Sequence, residues 1–443
     1  MGLSYRSALT QVVILGFICF CCPGMFNALN SMGGGGQIDS STGSKANTAL
    51  YVTFTIFGLL GGAIVNIIGV RLSLCVSGLT YALYSGSYVY YNNTQNSWFT
   101  VAAGAILGIG AGVLWAGQGM IMTSYPLEKD KGKYISVFWV IFNLGGMLGS
   151  IIPIATGKSS ESLPTSGYIA FLVLECFGSF LALALAPPSK VIRSDGSNVV
   201  ISAHGGWGDE VRKVIGLFGN KRMILILFMS FSSNFFYSYQ FNYYNGRNFT
   251  TDSKGFNSIF YWGSQMIGSV LIGFVLDSKM SRKTRAYIGT TIVVVFFNLV
   301  WLLTHFEQKR LTKIITDNGN ITDSEKYLRL DYKTSGKTYA WPIILYAFMG
   351  LADAIWQNLA YWLIGAMSND STVLSRYVGF YKSIQSFGGA ISWAIDVAKM
   401  SMTGQFIFNW VVLDLSVPFM FYLCSITTET SEEPEKPDYE DKS

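Results

Sequence analysis

Apolar runs of about twenty residues, the length of a helix crossing a ~30 Å hydrocarbon core, recur along the whole chain with short polar links between them. Twelve such runs are expected, the first six at about residues 8–29, 46–69, 72–91, 98–125, 134–154 and 167–186. The second six fall at about 221–244, 255–276, 286–305, 340–367, 377–397 and 406–426. Between the sets, residues 187–220 lose hydrophobicity and fill with Ser, Gly and charge, which marks a linker. The pattern predicts an all-α membrane protein: an N-terminal six-helix bundle (1–186), a cytoplasmic linker (187–220), a C-terminal six-helix bundle (221–426) and a disordered, acidic cytoplasmic tail (427–443). A Gly/Ser-rich stretch at 31–45 and a polar stretch at 307–339 are expected as loops.

Cation placement orients the chain. With the N-terminus in the cytoplasm, Lys129, Lys131, Lys133, Lys190, Arg193, Arg212, Lys213, Lys279, Arg282, Lys283 and Arg285 all fall inside, and only the 307–339 loop carries many cations outside. Glycosylation acceptors at Asn92, Asn248 and Asn320 fall outside in the same scheme, while Asn369 falls inside. The first run contains Pro23 and has no small-residue cleavage site, so a removed signal peptide is not expected.

Composition agrees: half the residues are apolar and only 13% charged, the profile of a multi-pass membrane protein in a lipid bilayer. A formal charge of +5, divided between loops, offers no footprint for nucleic acid. All six cysteines sit inside apolar runs, and the two histidines lack partners at metal spacing. No metal, cofactor or Ser/His/Asp constellation emerges, so an enzyme is not expected. Gly33–Gly36 lacks the Lys-Ser/Thr pair and preceding strand of a phosphate loop, and reads as a mobile loop.

The chain repeats itself. Phe26, Asn27 and Asn30 close the first run, and Phe241, Asn242 and Asn245 close the seventh in the same F-N-x-x-N pattern. Gly62, Asn66 and Arg71 correspond to Gly273, Asp277 and Arg282, with Lys283 following; Trp115 corresponds to Trp356. Two six-helix halves in parallel are the architecture of major facilitator transporters, and G-x-x-x-D-x-x-x-x-R-K at Gly273, Asp277, Arg282 and Lys283 resembles that superfamily's signature loop. In the first copy Asn66 replaces the usual acid, which puts that half's latch in doubt. The segment GFICFCCPGMFNALNSMGGGGQ, with Leu114 to Gly119, further resembles the fungal branch of the UNC-ninety-three-like family. That resemblance implies a multi-pass protein described as a transporter in some members and as an ion-channel regulator or trafficking chaperone in others.

Acids inside a bilayer are functional candidates. Asp353 lies mid-way along the tenth run, Glu175 in the sixth and Asp414 in the twelfth. On the superfamily layout Asp353 is the expected proton- or cation-responsive site, with Trp356 and Gln357 on the next turn and Trp115 and Gln118 facing from the other half. Glu175 and Asp414, on peripheral helices, are expected to make structural pairs or to touch a partner membrane protein. Asn27, Asn30, Asn242 and Asn245 are expected as a polar ring at the outer mouth, touching substrate, closing a gate or capping helices. The functional expectation is a secondary transporter of a small solute, with a proton or cation as the candidate coupling ion, working by alternating access in the plasma, secretory or vacuolar membrane. The alternative is a non-transporting regulator of another membrane protein.

Overall fold

The computed structural model describes residues 4–37, 39–127, 131–156, 162–199, 207–317, 329–368 and 371–429. Helical segments coincide with all twelve predicted runs. The N-terminal half contains α1 (Ala8–Ser31), α2 (Ser41–Ile68), α3 (Val70–Thr94), α4 (Trp98–Ser124), α5 (Lys133–Thr156) and α6 (Thr165–Ala184). The C-terminal half contains α7 (Lys221–Ser232, continued by Ser238–Gly246), α8 (Thr251–Leu276), α9 (Arg282–Asp317), α10 (Lys337–Gly365), α11 (Ser371–Val397) and α12 (Met402–Ser425). Among the described residues nine helices are long and apolar enough to cross a membrane, or ten if the bent pair Val211–Gly219 and Lys221–Ser232 is one span. Helices α3 and α11 have the length but are more polar. Their polar residues, among them Ser73, Ser77, Ser85 and Ser87 on α3 and Lys382, Gln385 and Asp396 on α11, are buried against other helices rather than turned to lipid.

The repeat appears as matching local geometry. Pro23 cannot donate into the ladder of α1, and the helix widens to a π-helical turn at Phe20–Gly24; α7 widens likewise at Ser238–Gly246. Each break adjoins or contains its F-N-x-x-N cluster. In each half the second asparagine accepts an amide hydrogen from the following helix: Asn47 donates to Asn30 (2.7 Å) and Asn257 to Asn245 (2.9 Å). Close approaches also repeat. The space where Cβ atoms of Gly104, Gly108 and Gly112 on α4 would stand is filled by the α2 backbone, and Gly350 on α10 meets the Tyr261 carbonyl of α8 in the same way.

Several expectations require correction. The polar loop at 307–339 is shorter, because α9 continues as helix to Asp317. Asn320 lies outside the described residues. The glycine run is not a mobile loop: all four glycines have positive φ and are buried, tied by Gly34 N–H to Asn242 (2.8 Å) and by Tyr168 Oη to the Gly35 carbonyl (2.6 Å). The linker is partly structured, with a helix at Trp207–Gly216, and its start docks on the N-terminal half: Ile192 exchanges backbone bonds with Arg6 and Ala8, and Arg193 donates to the Ser124 carbonyl (2.7 Å). Asn248 is 5% exposed and donates to the Tyr244 carbonyl (2.9 Å), and Asn92 is held by Gln37 and the Leu163 carbonyl, so neither presents its amide to a glycan.

At the signature loops, Arg71 donates to the Leu183 carbonyl at the end of α6. In the second copy Arg285 donates to the Leu276 carbonyl at the end of α8 (2.7 Å), while Asp277 is exposed. Gly62 and Gly273 have no atoms around a notional Cβ, and Asn66 is half-buried. The tail beyond Glu429 lies outside the described residues. Glu429 itself caps α9, accepting from the backbone N–H groups of Arg282 (2.7 Å) and Lys283 (3.2 Å), and these bonds hold its carboxyl below the usual glutamate range. A depressed acid stabilises at pH values above its unfolded pKa, so this cap persists at neutral pH and is lost as pH falls through the folded value.

Two glycines separate strain from space. At Gly35, φ is 63° and a Cβ would stand 2.3 Å from the Tyr88 hydroxyl. Gly35→Ala is expected to lower the thermal midpoint in detergent, since the left-handed backbone alone costs about 1–2 kcal/mol. Gly62→Ala, with no such contact, is expected to leave it unchanged or raise it through helix propensity. Equal midpoints would show that the packed glycine run is not a structural element.

Candidate functional site

The two halves meet along a seam that is bolted at the end carrying the glycine run. Ser31, the last residue of α1, is fully buried and engages four partners from the C-terminal half. It donates to Ser258 Oγ (2.9 Å), its hydroxyl accepts from Trp262 Nε1 (3.1 Å), and its carbonyl accepts from Asn245 Nδ2 (2.7 Å) and Tyr346 Oη (3.1 Å). Beside it, Asp396 of α11 accepts from Ser44 of α2 and from Asn242 (2.6 Å) and Gln405 (3.2 Å), while Asn242 also donates to Ser44 (2.9 Å). Every one of these groups is nine-tenths or more buried, so the bonds form without competition from water.

Deeper in the seam lies a cavity of about 80 Å³. One water needs about 10–15 Å³ on this measure, so the space holds several waters or part of a small solute. Its N-terminal wall is aromatic and apolar, including Phe26, Tyr51, Phe54, Trp115, Trp139 and Phe142, with Asn27 as a polar exception. The C-terminal wall is polar: Asn234, Tyr237, Gln265, Gln357, Lys382 and Gln385.

Behind that wall sits Asp353, fully buried. Its Oδ2 accepts from Tyr237 Oη (2.9 Å), Tyr261 Oη (3.2 Å) and Gln265 Nε2 (2.8 Å), and its Oδ1 from Gln357 Nε2 (2.7 Å). Four donors converge on one carboxyl. At about 1.5–3 kcal/mol per bond to a charged group they are of the order of the several kcal/mol lost in burying the charge, so the arrangement suits an ionised carboxylate. A line of amides connects it to a cation, every bond donated in the same sense. Lys382 Nζ donates to Gln385 Oε1 (3.0 Å), Gln385 Nε2 to Gln357 Oε1 (3.3 Å), and Gln357 to Asp353. The ammonium also stands over the rings of Trp115 (4.8 Å) and Tyr361 (5.5 Å), a cation–π seat bridging the two halves.

A family profile described as "Ion channel regulatory protein UNC-93" matches residues 34–395. The chain is 45% identical over 423 residues to UNC93-like protein 1 of Arabidopsis thaliana, covering 95% of this chain and 90% of the relative. It is 38% identical over 441 residues to an UNC93-like protein of Schizosaccharomyces pombe, covering 98% and 86%. The chain belongs to the UNC-93 family. Among solved structures, a D-xylose–proton symporter superposes with a TM-score of 0.62 at 16% identity, covering 96% of this chain and 99% of its own, and the nucleoside transporter NupG with 0.59 at 12%, covering 95% and 100%. At such identities the likeness is one of fold, the major facilitator fold; with nine or ten apolar spans among the described residues, this UNC-93 family member is an integral multi-pass membrane protein.

Within that frame, the residues singled out in the sequence separate. Asp353, Gln357 and Trp115 come together, as does Asn27 at the cavity wall. Trp356 points away: it is 1% exposed and donates to the Met229 carbonyl (3.3 Å) against Phe297, so it packs the C-terminal half. Gln118, one turn from Trp115, is half-buried and off the cavity wall. Asn242 and Asn245 belong to the seam, and Asn30 to its pair with Asn47, rather than to an open ring. Glu175 is buried inside the N-terminal half, whereas Asp414 is exposed on the flank of the C-terminal half, accepting from Asn298 (3.0 Å). Two residues that the sequence analysis does not single out lie in the seam: Lys382 is 9% exposed and Asp396 7%. Spacing held one signal for these: Lys382, Gln385 and Ser386 recur at i, i+3 and i+4 on α11, a polar stripe that an apolar span would not carry without an interior to face.

Removing the Asp396 carboxylate strands three donors, and each buried unpaired donor costs about 1–3 kcal/mol. Asp396→Ala is expected to raise amide hydrogen exchange at residues 31–44 and 242–246 about tenfold or more, since 1.4 kcal/mol is a factor of ten. Asp414→Asn is expected to leave those segments unchanged. Unaltered exchange in Asp396→Ala would rule out a latch at this carboxylate.

Proposed function

We propose that this UNC-93 family member is a secondary transporter that moves a small organic solute by alternating access between two six-helix halves, residues 1–186 and 221–426. The observation that carries the reading is the cavity at their seam, aromatic on one wall, polar on the other, and bolted at one end by bonds between the halves. Cation placement puts the bolted end outside and both termini in the cytoplasm, so the conformation is closed to the outside. The membrane is the plasma membrane or a secretory or vacuolar one.

The chemistry of the walls suggests the solute. The aromatic side suits the face of a ring or the apolar face of a sugar-like body, while Lys382, Gln357 and Gln385 suit acceptor oxygens or a negative group. A solute oxygen that takes the Lys382 or Gln385 hydrogen bonds interrupts the amide line to Asp353 and weakens the donors that keep that carboxylate charged. Solute binding therefore favours protonation of Asp353, and the two events are linked through one network, which is the requirement for coupling. Return to the outward-open state breaks the Ser31, Gly34 and Asp396 bonds. Trp115 and Trp139 of one half, with Tyr361 and Lys382 of the other, supply the opposing contact at the far side of the cavity.

A second reading has its own support. Asp414 places a carboxylate on the exposed flank of α12, near the middle of the helix, where hydrocarbon is unfavourable. A partner membrane helix carrying Lys or Arg would neutralise it, and in that role the protein acts on another membrane protein. The two readings make different demands on different residues.

Metabolite profiling of cells with and without the protein identifies the solute, and proteoliposome uptake with and without a pH gradient measures it. Asp353→Asn is expected to abolish gradient-driven uptake, and Lys382→Gln to reduce it at least tenfold, while both variants remain folded and membrane-inserted. Wild-type uptake by Asp353→Asn would remove the carboxylate from the mechanism. Normal uptake by Asp414→Asn together with loss of a co-purifying membrane protein would assign the flank to a partner.

A further inference from the structure

Among the described residues two acids are completely buried, and their surroundings are opposite. Asp353 has four donors. Glu175, on α6, has none: neither carboxyl oxygen has a hydrogen-bond partner, although the side chain is 0% exposed. Groups facing it from neighbouring elements are Cys21 and Cys22 of α1 and Tyr81 and Ser85 of α3, with Cys176 beside it on its own helix. None of these is a cation, and no salt bridge among the described residues reaches it. An ionised carboxylate only accepts hydrogen bonds, and here it would lose its hydration with at most the Ser85 hydroxyl placed to donate in return. The neutral acid carries an O–H that the Ser85 hydroxyl, itself unpartnered, can accept.

The position matters as much as the environment. Glu175 lies against the widened turn of α1. Cys22 Sγ contacts the Glu175 carbonyl (3.5 Å) and Ser179 Oγ (3.7 Å), and a Cβ on Gly178 would stand 2.3 Å from Cys21 Cβ. From the other side Gly145 of α5 clamps the same turn, its notional Cβ 2.4 Å from the Phe20 carbonyl. The residues that follow, Pro23, Phe26 and Asn27, line the central cavity, and α1 ends at Ser31, the residue that bolts the seam. A change of charge behind this turn therefore acts on a helix that touches both cavity and bolt.

We infer that Glu175 is a second proton-binding site, separate from Asp353, which holds its proton in the conformation closed at the glycine-run end and releases it when the α1 turn moves. On release the carboxyl O–H bond breaks, the proton passes to water admitted between α1 and α6, and the carboxylate that remains is hydrated there. Protonation thus favours the clamped turn and deprotonation favours its displacement. The inference rests on the transporter reading only for the use made of the motion, since the site and its link to α1 stand on geometry alone.

The test uses the full chain in lipid nanodiscs, with protons as the ligand and no solute required. Infrared difference spectroscopy over a pH titration is expected to show a protonated-carboxyl C=O band at neutral pH that disappears in Glu175→Gln and persists in Asp353→Asn. Hydrogen exchange of residues 16–31, corrected for its intrinsic pH dependence, is expected to rise over the pH range in which the band titrates in wild type, and to stay flat there in Glu175→Gln. Because the side chain has no donors to lose, Glu175→Met is expected to fold with a thermal midpoint at or above wild type. A band that survives Glu175→Gln, a band that titrates without any change at 16–31, or a marked loss of stability in both variants would each overturn the inference. Absence of solute transport with these results intact would sink the transporter reading and leave the proton site standing.

Discussion

A bilayer offers no water to a polar atom, so each donor and acceptor in the membrane must find its partner within the protein. This constraint explains why the seam between the halves is where it is. Ser31, Asn242, Asn245 and Asp396 have no use on a lipid-facing surface and become favourable only when a second half supplies the complement. In the proposed alternating-access cycle the same rule makes the seam reversible. Single hydrogen bonds contribute about 0.5–1.5 kcal/mol net, so a bolt built from them is worth several kcal/mol, a balance that the proposed solute and proton binding would tip.

Breaks in the helices serve the same end. Pro23 and the widened turns of α1 and α7 release backbone groups and let side chains near the breaks aim at the seam, which a straight helix would rotate away. Four consecutive left-handed glycines then fold the chain after α1 into the mouth of the bundle, where Tyr88, Tyr168 and Asn242 enclose it. Flexibility in the unfolded chain becomes close packing in the folded one, because only glycine accepts those angles without a Cβ.

The acids illustrate how environment sorts identical chemistry. Asp353 faces donors from three helices and an amide line to Lys382; Glu175 faces thiols and hydroxyls; Asp396 joins two halves; Asp414 stands on the flank. All four look alike along the sequence, as single charges within apolar runs. Only for Asp353 does the sequence point to the central network, through helix order in the repeat rather than through its neighbours. The family and the fold were legible because a first-helix motif, an F-N-x-x-N pair and a parallel repeat leave marks that need no coordinates.

What the linear chain determined by itself was the helical class, the order of the spans, the duplication and the family, because span length and hydropathy are set by the thickness of the membrane and by local composition. Rotation of each helix about its own axis was decided only in three dimensions. In a membrane protein both the lipid face and the packed face are apolar, so the periodicity that orients a helix in a soluble bundle is nearly absent. That is why Trp356 turned out to pack within its own half, Lys382 to face the cavity, and Glu175 to lie beside α1: the polar partners that settle such choices come from helices hundreds of residues away.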